Sequence, residues 1–289
     1  MGTPLATLVW RYARNEHLTL QNYFTGAALA ALIGWLGLRQ HALSRSGALG
    51  ALLIGTAVFG GAGLPGATLL IGFFVSSSAL SRIGSARKAQ LTAQFSKGSQ
   101  RDLLQTLANG GVAAAAAVVF GYSKLDVVWL AMAGALAAAN ADTWSTELGV
   151  LARTMPRRIT DWKAVPTGTS GAVTSWGTVG AVVGAGLIAL LAGAANWLTG
   201  AAHSLLAITL LPICGLAGAL VDSWLGATVQ ASYQCALCGK TTERHPLCKC
   251  GGVTTIQSGW HWLGNDAVNF AATLTGAVLA ALAAQLLAS

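Results

Sequence analysis

Long apolar runs, separated by short polar loops, follow one another along nearly the whole chain. The runs cover residues 24–38, 47–63, 66–80, 104–122, 127–141, 171–198, 205–229 and 263–287. A helix needs ~20 apolar residues to cross a bilayer. Helices satisfy their backbone polar groups internally, and the runs lack the alternation of barrel strands. We therefore predict an all-α integral membrane protein: one polytopic bundle spanning residues 1–289, with about eight transmembrane helices, or seven as the alternative count.

Composition agrees with a membrane location. The chain is 54% hydrophobic and only 9% charged, whereas soluble domains are about 25% charged. Its 36 glycines suit the close packing of membrane helices. The net charge of +8 is spread among loops and belongs to no recognisable nucleic-acid-binding module, so no nucleic-acid partner is expected.

The basic residues predict which side of the membrane the loops face. Most lie after the first, third, fifth and seventh runs, in loops that include 142–170 and 231–262. Because positive loops stay in the cytoplasm, these loops and the active site are expected to face the cytoplasm, from a cell inner membrane or a thylakoid-like membrane. Residues 1–22 are expected to form an interfacial segment, although Arg11 and Arg14 oppose this orientation.

Acidic residues are scarce, nine in all; Asp142 directly follows an apolar run, and Asp222 and Asp266 lie within the last two runs, near a polar loop. Acids at membrane-helix ends are costly to bury and usually functional. Mg²⁺ prefers a few carboxylates and completes its shell with water and phosphate oxygens, so we predict that these three bind Mg²⁺. The alternative is that they cap helices or pair with loop arginines.

Other polar residues near these acids are candidates for substrate binding. Asn265 and Asn269 share a helix-start face with Asp266, because residues three or four apart are neighbours on a helix. Glu147 lies five residues after Asp142 and would join the same site only if the helix broke near Thr143.

A basic stretch follows the third run and suits phosphate binding. Arginine offers a bidentate fork to phosphate, and lysine a compact charge. Lys88 and Arg101 are predicted as catalytic residues beside Asp142 and Asp222, and Lys97 as a phosphate ligand. Ser77 and Asn109 would bind substrate, since Asn109 falls at helical spacing with Arg101. An ordinary positive loop is the alternative.

Gly168, Thr169 and Ser170 precede the sixth run and predict an anion-binding turn at a helix N-terminus. The stretch lacks the lysine of a Walker loop, and a capped turn would explain it equally well.

Cysteines cluster in the loop before the last run. Cys235, Cys238, Cys248 and Cys250, or three of them with His245, could hold a structural Zn²⁺ in a tetrahedral site. Unmetallated thiols are the alternative; disulfides are disfavoured in a cytoplasmic loop.

These motifs together resemble one family. They are FFVSSS at 73–78, LANGG at 107–111, ADTWSTELG at 141–149, PTGTSG at 166–171 and DSWLGA at 222–227. The chain resembles the membrane family, long labelled as a domain of unknown function, that includes the plastid phytyl-phosphate kinase of tocopherol synthesis and an animal transmembrane relative.

The resemblance implies an isoprenyl-phosphate kinase. A nucleoside triphosphate, CTP being favoured, would donate its γ-phosphoryl group to a membrane-embedded prenyl or phytyl monophosphate in a Mg²⁺-dependent reaction. One alternative is a nucleotidyltransferase or phosphotransferase that acts on another lipid phosphate. The other is a transporter of an anionic metabolite.

Overall fold

The computed structural model describes residues 20–83, 100–201 and 203–288, which form seven helices and two small sheets. The helices are α1 Leu20–Arg39, α2 Arg45–Arg82, α3 Leu103–Ser123, α4 Asp126–Leu151, α5 Ser175–Thr199, α6 Leu205–Thr228 and α7 Asn265–Ala288. The strands are β1 Arg157–Arg158, β2 Ala172–Val173, β3 Ser232–Cys235, β4 Thr241–Thr242 and β5 Thr254–Ser258. Most of the N-terminal segment predicted at 1–22 lies outside the described residues.

Helix α2 is a hairpin of two arms. Gly63 has a φ of 60° and a ψ of −153°, which interrupts the helix. A straight helix of its 38 residues would be about 57 Å long, yet the two ends meet: Arg82 Nη2 donates to Gln40 Oε1 at 2.7 Å. The predicted break between the second run, 47–63, and the third run, 66–80, is therefore present as a turn. With it, the bundle has eight helical segments, and the predicted helical membrane fold is confirmed.

Helix α4 forms the centre of the bundle. Every residue from 129 to 141, apart from Ala131, is buried, and the helix packs against α2, α3, α5, α6 and α7. Small side chains allow these approaches: a Cβ on Gly134 would overlap the carbonyl oxygen of Gly276 in α7, and one on Gly276 would overlap Gly134. Such contacts are typical of helices packed in membranes.

Within the described residues, five helices are long and apolar enough to cross a membrane: α2, α3, α5, α6 and α7. Helices α4 and α6 end, and α3, α5 and α7 begin, at the same end of the bundle, here called the polar end. Every lysine and arginine of the described segments except Lys124 belongs to that end. The basic loops that alternate with neutral loops along the sequence are therefore gathered at one end of the folded bundle.

Two predicted helix boundaries were wrong. Helix α4 does not stop at residue 141 but continues to Leu151, so the first ten residues of the predicted polar loop 142–170 are helical. Helix α5 begins at Ser175, capped by Thr174 Oγ1, which accepts from Gly177 N at 2.9 Å. The loop at 231–262 contains a three-stranded antiparallel sheet in the order β4-β3-β5.

Candidate active site

A cavity of about 160 Å³ opens at the polar end, between α4, α5, α6 and the turn at residues 166–171. Three carboxylates line it, and amides and hydroxyls complete its polar side. The polar lining residues are Asp142, Ser145, Thr146, Thr167, Thr169, Ser170, Thr174, Thr178, Asp222, Ser223, Gln230, Glu243 and Asn265. The cavity therefore combines negative side chains with a glycine-rich backbone turn.

Asp142 and Asp222 reach the cavity from two helices that run in the same direction. A Cβ on Gly218 of α6 would lie 2.6 Å from Ala138 Cβ of α4, so the two helices are nearly in contact there. Asp142 lies four residues after Ala138 in α4, and Asp222 lies four residues after Gly218 in α6. Both aspartates are therefore one helical turn beyond this contact. Among the described residues, Asp222 Oδ2 is buried without a hydrogen-bond partner. A buried carboxylate oxygen of this kind fits a cation.

The turn at 166–171 faces these aspartates. Gly168 and Gly171 have φ values of 91° and 73°, in the left-handed region that favours glycine. The turn packs on α6 at Gly226, where a Cβ would come within 2.7 Å of Ser170 Oγ. The turn precedes β2 and lies four residues before α5 begins, so the prediction that it forms the N-terminus of that helix was wrong.

A chain of side-chain hydrogen bonds links the turn to the cysteine-bearing sheet. Ser170 Oγ donates to Gln230 Oε1 at 3.0 Å, and Gln230 Nε2 donates to Glu243 Oε1 at 2.9 Å. Glu243 directly follows β4 and lines the cavity. Sequence reasoning missed Glu243. The one available signal was that acidic residues are scarce in this chain, because Glu243 belongs to no apolar run or motif.

A second, larger cavity of about 720 Å³ adjoins the first and shares the turn, Gln230 and Glu243 with it. Arg158 and Lys240 contribute positive charge to its lining. Neither was singled out in the sequence. Asp142 and Asp222 line only the first, inner cavity, whereas Arg158 and Lys240 line only the second, outer cavity.

Glu147 and Arg101 belong to a different polar group. Glu147 lies on another face of α4, and Arg101 lies just before α3. The helix runs unbroken past Thr143, so Glu147 points away from Asp142. Ser81 Oγ of α2 donates to Glu147 Oε1. Burial lowers the pKa of Arg101, and the charge of Glu147 opposes that shift. The Arg101 guanidinium lies 5.6 Å from the Phe73 ring centroid. Neither Arg101 nor Glu147 lines the two cavities.

Several other predicted residues also lie away from the cavities. Ser77 Oγ donates to Asn140 Oδ1 at 3.0 Å inside the bundle, and Asn109 Nδ2 donates to the carbonyl of Gln105 in its own helix. Asp266 and Asn269 lie in the first turns of α7, yet only their neighbour Asn265 lines the inner cavity. Lys88 and Lys97 fall outside the described residues.

The four cysteines of the sheet form a compact cluster. Their sulfur atoms all lie within 4.8 Å of one another, and no other group of three or more His, Cys, Asp or Glu ligand atoms is as close in the described part of the chain. His245 is not a member: its ring stacks on Tyr233 with centroids 4.6 Å apart. Hydrogen bonds, the largest of them from the backbone N–H of Cys238, lower the pKa of the Cys235 thiol to about 6.

The fold and this site define a polytopic helical membrane protein with a polar cavity at one end of its bundle. Residues 28–277 match the family described as integral membrane protein DUF92, and the chain belongs to that family. The resemblance inferred from the motifs is therefore confirmed.

Relatives cover most of the chain. Protein PGR of Arabidopsis thaliana is 34% identical over 283 residues, which span 88% of this chain and 93% of that protein. An uncharacterized membrane protein of Methanocaldococcus jannaschii is 27% identical, over 91% of this chain and 95% of its own length. Another, from Synechocystis, is 25% identical over 80% of this chain and 78% of its own length. No solved structure matches the chain.

Proposed function

We propose that the protein is a membrane-embedded kinase that transfers the γ-phosphoryl group of a nucleoside triphosphate to a prenyl monophosphate, giving the diphosphate. One observation carries the proposal: Asp142 and Asp222, from parallel helices, share a cavity with a glycine-rich turn at the polar end. The family resemblance favours CTP as donor and a phytyl-like lipid as acceptor.

The residues suit this chemistry because a phosphate acceptor is already anionic. No strong general base is needed, so catalysis rests on positioning and on charge neutralisation. The turn at 166–171 presents backbone and hydroxyl groups to phosphate oxygens. Arg158 and Lys240, on the outer side, suit the remaining charge of the nucleotide.

The carboxylates fit Mg²⁺. Asp142 and Asp222 would hold the ion, which retains water and phosphate oxygens as its other ligands. Bound Mg²⁺ would neutralise charge on the transferring phosphoryl group. The buried Oδ2 of Asp222 supports this assignment. Asp266 does not line the cavity, so two aspartates, with Glu243 near them, are the ligand set that the lining supports.

The shape of the site suggests where each substrate lies. The outer cavity, about 720 Å³, falls in the range of nucleotide-sized ligands. On its membrane side, the inner cavity is lined by apolar side chains of α6, Leu216 and Leu220, and by Ala181 of α5. A prenyl tail would lie along these residues with its phosphate beside the aspartates.

The position of the acids distinguishes this proposal from a transporter. Asp142 lies nine residues before the end of α4 and Asp222 six residues before the end of α6, both in the half of the helix towards the polar end, whereas a transporter holds its substrate near the bilayer midplane. Positive charge at the polar end supports a cytoplasmic orientation, in a cell inner membrane or a thylakoid-like membrane, where nucleotides are available.

The test is incubation of the purified protein with Mg²⁺, each nucleoside triphosphate and a panel of prenyl monophosphates. Prenyl diphosphate and nucleoside diphosphate are the expected products. Asp142→Asn is expected to lower turnover by at least ~100-fold while the protein stays folded. Asp126→Asn, which contacts His203 at the opposite end of the bundle and lines neither cavity, is the matched control and retains activity.

The alternatives give other products. Pyrophosphate with a nucleotide-linked lipid would identify a nucleotidyltransferase. Uptake of an anion into vesicles without nucleotide consumption would identify a transporter. Full turnover by Asp142→Asn would remove that carboxylate from the mechanism.

A further inference from the structure

We infer that Cys235, Cys238, Cys248 and Cys250 form a tetrathiolate Zn²⁺ site, and that this zinc fixes the sheet which places Glu243 at the cavity mouth. The inference concerns a second metal site, distinct from the proposed Mg²⁺ ligands. Its metal-binding part stands independently of the proposed kinase activity.

The spacing of the sulfur atoms matches tetrahedral zinc. A Zn–S bond of about 2.3 Å places tetrahedral sulfurs about 3.8 Å apart. Cys238 Sγ lies 3.9 Å from Cys248 Sγ, and Cys235 Sγ lies 3.4 Å from Cys250 Sγ. All four cysteines are free, and the sulfurs are well beyond the ~2.05 Å of a disulfide bond.

The backbone holds these cysteines in two similar turns. Gly239 N donates to Cys235 O, and Gly251 N donates to Cys248 O, both at 2.9 Å. Gly239 and Gly251, each directly after the second cysteine of its pair, have φ values of 67° and 85°. A Cβ on Gly252 would lie 2.7 Å from Cys235 Sγ, so this backbone approaches the sulfur more closely than a side chain permits.

A zinc ion would stabilise a sheet that is otherwise small. Strand β4 has two residues and pairs with β3 alone, through Tyr233 with Thr242 and Gln234 with Thr241. Isolated two-stranded pairings are marginal in water, and the free energy of zinc binding becomes folding free energy in such modules. The ion would join the turn after β3 to the segment before β5, and β4 lies between these two parts of the chain.

The sheet reaches the cavity through Glu243. Glu243 directly follows β4 and accepts the hydrogen bond from Gln230 Nε2, and Gln230 in turn accepts one from Ser170 of the turn at 166–171. Release of zinc would free β4 and so loosen Glu243 and the turn together. The zinc site is therefore inferred to act on the cavity by position, without contact with substrate.

The first test measures zinc in the full-length protein purified in detergent. One zinc per chain is expected, and replacement by Co²⁺ is expected to give the visible absorption of tetrahedral thiolate coordination. Cys235→Ser and Cys248→Ser should each lower zinc occupancy at least ~10-fold. Cys214→Ser, in α6, and His245→Ala are the controls and should keep their zinc.

The second test uses the unmodified protein, so it does not depend on whether the variants fold. Hydrogen exchange is compared between zinc-loaded and chelated samples. Zinc removal should raise exchange in residues 232–258 and in the turn at 166–171, and leave residues 129–141 of α4 unchanged.

Three results would overturn the inference. They are wild-type protein that takes up neither zinc nor cobalt, zinc that persists in both cysteine variants, and loss of zinc in His245→Ala. Unchanged exchange in the turn at 166–171 would refute the coupling to the cavity. These outcomes remain distinguishable from failure of the kinase assay, which has its own readout.

Discussion

Asn140, in the buried centre of α4, donates a hydrogen bond of 2.7 Å from Nδ2 to the carbonyl oxygen of Gly184 in α5. Its Oδ1 accepts from Ser77 Oγ at 3.0 Å and from Ser76 Oγ at 3.2 Å, both in α2. One amide thus joins three helices two residues before Asp142. It fixes the rotation of α4 and, with it, the direction in which Asp142 points.

The first prediction concerns that amide. Asn140→Ala leaves a carbonyl and two hydroxyls without their partner in an apolar interior, so we expect a loss of about 1–3 kcal/mol in unfolding free energy. Thermal unfolding in detergent measures it. Ser76→Ala, which removes only long hydrogen bonds, is expected to cost less. Equal stability of Asn140→Ala and the wild type would contradict the prediction.

The second prediction compares two glycines. Gly134 faces Gly276, and a Cβ there would overlap the carbonyl oxygen of Gly276, whereas a Cβ on Gly186 would meet nothing within 4 Å. Gly134→Ala is expected to destabilise the bundle by about 1–3 kcal/mol. Gly186→Ala is expected to be neutral or stabilising by up to ~1 kcal/mol, because alanine favours helix. The same unfolding assay compares them, and a reversed order would show that α4 and α7 are not in contact here.

The third prediction concerns the hydrogen-bond chain beside the cavity and rests on the proposed kinase activity. Gln230→Ala breaks the link between Ser170 and Glu243. We expect KM for the nucleotide to rise ~5- to 10-fold, which corresponds to the free energy of about one hydrogen bond. The change in kcat should be smaller. Gln234→Ala, exposed on β3, is the control. A change confined to kcat would place Gln230 in the chemical step.

The fourth prediction contrasts two ionic contacts. Glu147 accepts a hydrogen bond from Ser81 and its charge acts on Arg101, all partly buried. Glu147→Gln should therefore destabilise the protein by about 1–3 kcal/mol. Asp161 pairs with Arg158 at 3.5 Å in an exposed loop, and surface pairs contribute little, so Asp161→Asn should show no measurable change. Comparable losses in the two variants would contradict the difference in burial.

The apolar segments, the break between the second and third of them and the concentration of basic residues at one end could all be predicted from sequence. Transfer of a segment into a bilayer depends on its own side chains, and loop charge is a local property as well. Asp142 and Asp222 were also identifiable, because an acid near the end of an apolar run is conspicuous without knowledge of its neighbours.

The rotation of each helix about its axis, and the pairing of residues distant in the chain, could not be predicted from the sequence. The tertiary structure decides that Glu147 faces Ser81 while Asp142 faces the cavity, because α4 continues unbroken and the two are not on one helical face. Packing also decides that Asn265, and not Asp266, lines the cavity. The strand pairing of the cysteine-bearing sheet places Glu243 there. Burial preference is local in the chain, whereas the rotation of a helix and the register of a strand depend on partners distant in sequence.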